Sequence, residues 1–93
     1  MKYWGGAAYT KAGIPDILCC CNGYFLGIEV KAANGKASPL QLHHLKKIDE
    51  AGGYGILLYP DQYTLFQNFI DCLLLNDDNA NRNYEILKGR WCD

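Results

Sequence analysis

Two carboxylates and a lysine bracket an apolar stretch early in the chain. Asp16 closes Gly13-Ile14-Pro15-Asp16, and Glu29 and Lys31 follow in Glu29-Val30-Lys31. Between them stands Asn22-Gly23, the dipeptide best suited to a two-residue hairpin turn with positive φ at both central residues. With Cys21 paired to Tyr24 across that turn, counting outward sets Asp16 opposite Glu29. That position lacks direct hydrogen bonds, and opposed Cα atoms approach there to about 4.5 Å. Lys31, two residues on, falls on the same face. Two ionised carboxylates so placed repel each other. A shared proton, the lysine lying between them, or a divalent cation would each offset the repulsion. Mg²⁺ fits best. It binds through one or two carboxylates, keeps several waters and accepts phosphate oxygens, as in sites that cleave phosphodiesters. Lys31 would then orient an attacking water or help to deprotonate it.

A lone Glu-x-Lys is ordinarily a solvated strand face, where an ion pair contributes under about 1 kcal/mol. Here both charges end the apolar run Tyr24-Phe25-Leu26-Gly27-Ile28. Burying charge without a partner or a metal is costly, which favours a working site over a surface ion pair.

Pro15-Asp16, Glu29-Val30-Lys31 and the downstream Ser38-Pro39-Leu40-Gln41 resemble the PD-(D/E)xK nucleases. Within that superfamily the pattern is similar to the virus-type replication-repair nuclease (VRR-NUC) domain. That domain reads Gly-x-Pro-Asp, a hairpin, Glu-x-Lys, then a helix that opens near a Gln and closes before a Gly. Gly13, Gln41 and Gly52 complete the match, which spans residues 13–60. The resemblance implies a restriction-endonuclease-like core in which Asp16, Glu29 and the main-chain carbonyl of Val30 hold Mg²⁺, or Mn²⁺ in its place. It implies that Lys31 serves the attacking water and that Gln41 lines the site. One departure stands out. Family members often carry a further glutamate upstream, whereas the first acid of this chain is Asp16 itself. Water would take its place, as in small viral members, or a second subunit would close the site. The implied activity is that of a metal-dependent endodeoxyribonuclease acting on branched DNA such as four-way (Holliday) junctions. A homodimer would match the symmetry of such a substrate. A flap or restriction-type nuclease with the same site, a non-catalytic nucleic-acid-binding module and a plain interaction domain are the alternatives.

The 93 residues suffice for one small domain with a thin core, for which oligomerisation would help. A 49% hydrophobic fraction with 13% aromatics excludes disorder, and no apolar run is long enough to span a bilayer. The N-terminus lacks a secretory apolar stretch, so a cytoplasmic protein is expected, within the host cell if it is viral. Five cysteines without Cys-x-x-Cys spacing suggest small buried hydrophobes in a reducing compartment, neither zinc ligands nor a disulfide framework. His43-His44 diverge on a helix and read as surface residues. Net charge is −1, but residues 1–48 hold six lysines against two acids, and residues 49–93 hold three basic residues against eight acids. Once a cation neutralises Asp16 and Glu29, the first half becomes a positive surface suited to phosphate backbones.

The elements that must position these residues can be placed in turn. A short strand is expected within residues 1–12, then hairpin strands over Ile17 to Cys21 and Tyr24 to Lys31, with helices covering the face opposite the site. Ser38, Pro39 and Gln41 form a helix start with a Ser-x-x-Gln capping box, which explains Gln41 without any catalytic role. Leu42, Leu45 and Ile48 would pack on the sheet, with His43, Lys46, Lys47 and Asp49 outward. Gly52-Gly53 ends that helix. Tyr54 to Tyr59 reads as a buried strand parallel to the one bearing Glu29. Asp61 is expected to cap a helix to about Leu75, with Leu65, Phe66, Phe69, Ile70 and Leu73 as its stripe and spare apolar surface for a dimer. Residues 76–93 read as a polar linker and a tail that adds an edge strand or embraces a second subunit. The fold class is α/β (α+β): one domain, a small mixed sheet flanked by helices, in the order βββαβα.

Overall fold

The hairpin forms in the register that its turn dictates. In the computed structural model, which describes residues 13–92, Asn22 and Gly23 take φ values of 51° and 86°. β1 (Ile17–Cys21) pairs antiparallel with β2 (Tyr24–Val30), from Cys21 opposite Tyr24 out to Ile17 opposite Ile28. β3 (Tyr54–Leu58) lies parallel to β2, with Glu29 beside Leu57, so the sheet is mixed and ordered β1-β2-β3. The helices are α1 (Pro39–Glu50), α2 (Tyr63–Leu74) and α3 (Asn79–Lys88), with a 3₁₀ turn at Pro60–Gln62. The expected class, a small mixed α+β fold, is the one found. The strand expected within residues 1–12 lies outside the described residues, so the described order is ββαβαα. No helix among the described residues is long and apolar enough to cross a membrane.

Strand alternation divides the sheet into two faces. One carries Leu26, Ile28, Ile56 and Leu58, which pack with Phe69 and Leu73 of α2 and Ala80, Tyr84 and Leu87 of α3. Each Leu, Ile or Phe among them, fully buried, contributes about 1.5–3 kcal/mol. The other face carries Glu29 and Leu57 and is crossed by α1, whose Leu45 is fully buried. α1 approaches closely because Gly27 and Gly55 are register partners beneath it. A Cβ on Gly55 would lie 2.5 Å from the Leu45 carbonyl oxygen, and one on Gly27 would strike the tip of Ile48.

Four expectations need correction. The tail is a helix, because Ala80, Tyr84 and Leu87 recur at helical spacing and find the open flank of β3. Its Tyr84 hydroxyl accepts from the Gly55 N–H at 3.1 Å, and the Trp91 indole donates to the Gly55 carbonyl at 3.0 Å, so this edge of the sheet is covered. Asp49 does not face outward. It accepts from the Tyr84 hydroxyl at 2.8 Å and pairs with Lys88 at 3.0 Å, tying α1 to α3. Asp61 caps no helix; it sits in the 3₁₀ turn and pairs with Arg90. The cysteines are free but not buried: Cys19, Cys20 and Cys92 are exposed, and Cys21 and Cys72 are half-buried. Cys19 lies with Ile17 on β1, an outer strand whose helix-side residues α2 and α3 leave largely open.

Candidate active site

Gly13 starts the approach to the site. Its φ of +88° is one that L side chains rarely adopt, and a Cβ there would lie 2.6 Å from the Leu40 side chain of α1. The chain then passes through buried Pro15 to Asp16, one position beyond the last ladder pair. Continued by two residues, the register sets Pro15 opposite Val30, at a position where two residues of an antiparallel pair exchange both hydrogen bonds. Proline has no N–H to give. The Val30 N–H instead donates to Asp16 Oδ2 at 3.2 Å, so the carboxylate closes the end of the hairpin. Both backbone groups of such a position point the same way, so the Val30 carbonyl lies on the side of β2 from which Asp16 reaches in.

Glu29 is only 3% exposed, the one charged side chain among the buried residues described. Lys31 Nζ lies 3.3 Å from its Oε2, and Gln41 Nε2 donates to the same oxygen at 2.8 Å. Oε1 is buried and accepts no hydrogen bond from the described residues. A buried acceptor without a donor costs roughly 1–3 kcal/mol, so Oε1 is the oxygen of Glu29 that a further donor would satisfy.

Gln41 resolves two readings into one. The capping box is present: Gln41 N–H donates to Ser38 Oγ at 3.1 Å, and Ser38 N–H donates to Gln41 Oε1 at 2.8 Å. A backbone N–H can only donate, so Oε1 must face Ser38, and the amide NH₂ must point the other way, toward Glu29. The cap orients the functional group. The loop between Lys31 and Ser38 is held by a turn from Gly35 N–H to the Ala32 carbonyl and by the Tyr59 hydroxyl donating to the Gly35 carbonyl at 2.8 Å.

The tertiary fold therefore brings Asp16, Glu29, Lys31, the Val30 main chain and Gln41 to one corner, where β1, β2 and the start of α1 meet. Ser38 and the Gly27–Gly55 pair were not singled out from sequence as site determinants. Ser38 carried the signal, since a capping box already implies a fixed amide; the glycine pair carried none, because its register depends on β3. Among the described residues no three His, Cys, Asp or Glu side chains form a group that could hold a metal ion, so the candidates at this corner are the carboxylates of Asp16 and Glu29. Their donor set is hard oxygen, suited to Mg²⁺ or Mn²⁺ with water completing the shell. His43 and His44 stack edge-on at 5.7 Å and belong to α1 outside this constellation. No family model, curated protein or solved structure matches the chain.

Proposed function

We propose that the protein is a Mg²⁺-dependent endonuclease that hydrolyses phosphodiester bonds, with Asp16, Glu29 and the Val30 carbonyl as metal-holding groups. The observation that carries this reading is Glu29: buried, with one oxygen held by Lys31 and Gln41 and the other without a partner among the described residues, next in sequence to Val30, whose N–H donates to the Asp16 carboxylate. A bound cation supplies Lewis acidity to a phosphate oxygen and acidity to an attacking water. Gln41 holds Glu29 in one pose. Lys31 stands at the same oxygen and can orient the water and meet charge developing on the phosphate. Asp16 keeps one oxygen on the hairpin backbone and has a second to offer. For substrate and assembly we propose branched DNA and a homodimer. The exposed Leu74 and Leu75 at the end of α2, with Tyr63 at its start, supply apolar surface of the kind an interface uses. A protein that stays monomeric at micromolar concentration would remove paired cutting of a junction.

A second reading rests on the ion pair itself. Lys31 balances Glu29 without any cation, as it would in a non-catalytic module. Metal titration separates the two. Mg²⁺ or Mn²⁺ should raise the melting temperature of the wild type and not of Asp16→Asn, whose amide oxygen can still accept from Val30 N–H. A wild type indifferent to both metals would leave only the module. Cleavage of labelled four-way junction, 5′ flap, splayed arm, duplex and single strand, compared side by side, identifies the substrate.

A further inference from the structure

A second constellation lies on the flank of α1 that faces α3. Leu42, His43 and Lys46 meet Trp91 and Cys92 around an open concavity of about 320 Å³. Trp91 is anchored: its indole N–H donates to the Gly55 carbonyl, and the Trp91 and Cys92 backbone N–H groups donate to the Lys88 carbonyl at 3.0 and 2.8 Å. With its one polar group satisfied, the indole offers the concavity a pre-set π surface. His43 and Lys46 are exposed, and Lys46 makes no ion pair among the described residues.

We propose that this concavity binds one nucleotide of a single-stranded nucleic acid, with the base stacked on Trp91 and the phosphate met by Lys46 and His43. A ring fixed beside a lysine ammonium and an imidazole suits a ligand that joins a π face to an anion, and a nucleotide does so. Bases paired and stacked in a duplex hide that face, which selects a single strand, loop or splayed end. An apolar partner segment would use Leu42 and the indole but leave the exposed His43 and Lys46 without a role. Lys46 lies about 7–8 Å along the helix axis from Gln41, close enough for one strand to reach both sites. The inference does not rest on cleavage and is tested without metal.

The Trp4→Phe variant leaves Trp91 as the sole tryptophan. In EDTA, a short oligothymidylate should quench its emission, and inorganic phosphate at matched ionic strength should not. In that background His43→Ala with Lys46→Ala alters only exposed side chains. It should weaken binding roughly tenfold. The slope of log affinity against log salt should fall by about 0.7 for each phosphate that the variant no longer neutralises. Unchanged emission at saturation, equal quenching by duplex of the same sequence, or unaltered affinity and salt slope in the double variant would each overturn the proposal.

Discussion

Glu29 is held by two donors on one oxygen, and each donor can be removed or inverted separately. Lys31→Ala should keep the metal-induced rise in melting temperature and lose cleavage by roughly a hundredfold or more, the scale of losing one transition-state donor. Equal cleavage by the two proteins would take Lys31 out of the mechanism. Gln41→Glu is more diagnostic. Glutamate preserves the capping box, so α1 still starts at the same place. It also sets a third carboxylate against Glu29, where like charges repel. The variant should melt below the wild type in EDTA and gain more than the wild type on adding Mg²⁺ or Mn²⁺. A metal-induced gain no larger than that of the wild type would argue against a cation at this corner.

At the scale of elements, the site exists because α1 lies close enough to the sheet for Gln41 to reach Glu29, and the paired glycines set that distance. Gly55 faces the Leu45 backbone, which cannot move without displacing the helix, whereas Gly27 faces the end of the Ile48 side chain, which can turn aside. Gly55→Ala should therefore destabilise by about 1–3 kcal/mol or more, as overpacking does, and reduce cleavage with it. Gly27→Ala should cost less on both counts. Denaturant melts of the two variants measure this, and the opposite order would mean that α1 does not rest on Gly55. Hairpin and helix start were legible beforehand because each is local. The turn needs only Asn22-Gly23, and the cap needs only Ser38 through Gln41. The seat of α1 was not legible, since nothing adjacent to Gly27 in sequence says that Gly55 stands beside it.

Across the whole molecule, α3 ties the far edge of the sheet to α1 through Tyr84, Asp49 and Lys88. Burial, with the hydrogen bond to Asp49 acting in the same direction, pushes the Tyr84 hydroxyl well above the usual tyrosine range. Tyr54, packed against it, is raised by burial and by Tyr24, and Lys88 is raised by its hydrogen bond to Asp49. Raised values in the folded state mean that their stabilisation is fully present below the unfolded pKa values, near pH 10. It is lost as the pH climbs beyond, when the unfolded chain ionises first. The melting temperature should hold at neutral pH and fall steeply above about pH 10. Tyr84→Phe should flatten that fall while lowering neutral stability by about 1–3 kcal/mol, because the Gly55 N–H loses its acceptor. An alkaline limb as steep as that of the wild type would exclude Tyr84 as its source.

The sequence by itself determined the hairpin register, the capped start of α1 and the mixed α+β class, because each follows from short-range backbone preference and strand or helix periodicity. Only the tertiary structure decided that one amide both caps α1 and holds Glu29, that Asp49 serves α3, and that the polar tail is a helix. Those outcomes depend on which surfaces meet. Ala80, Tyr84 and Leu87 are too few among polar neighbours to declare a helix, until the flank of β3 gives them a surface on which to bury.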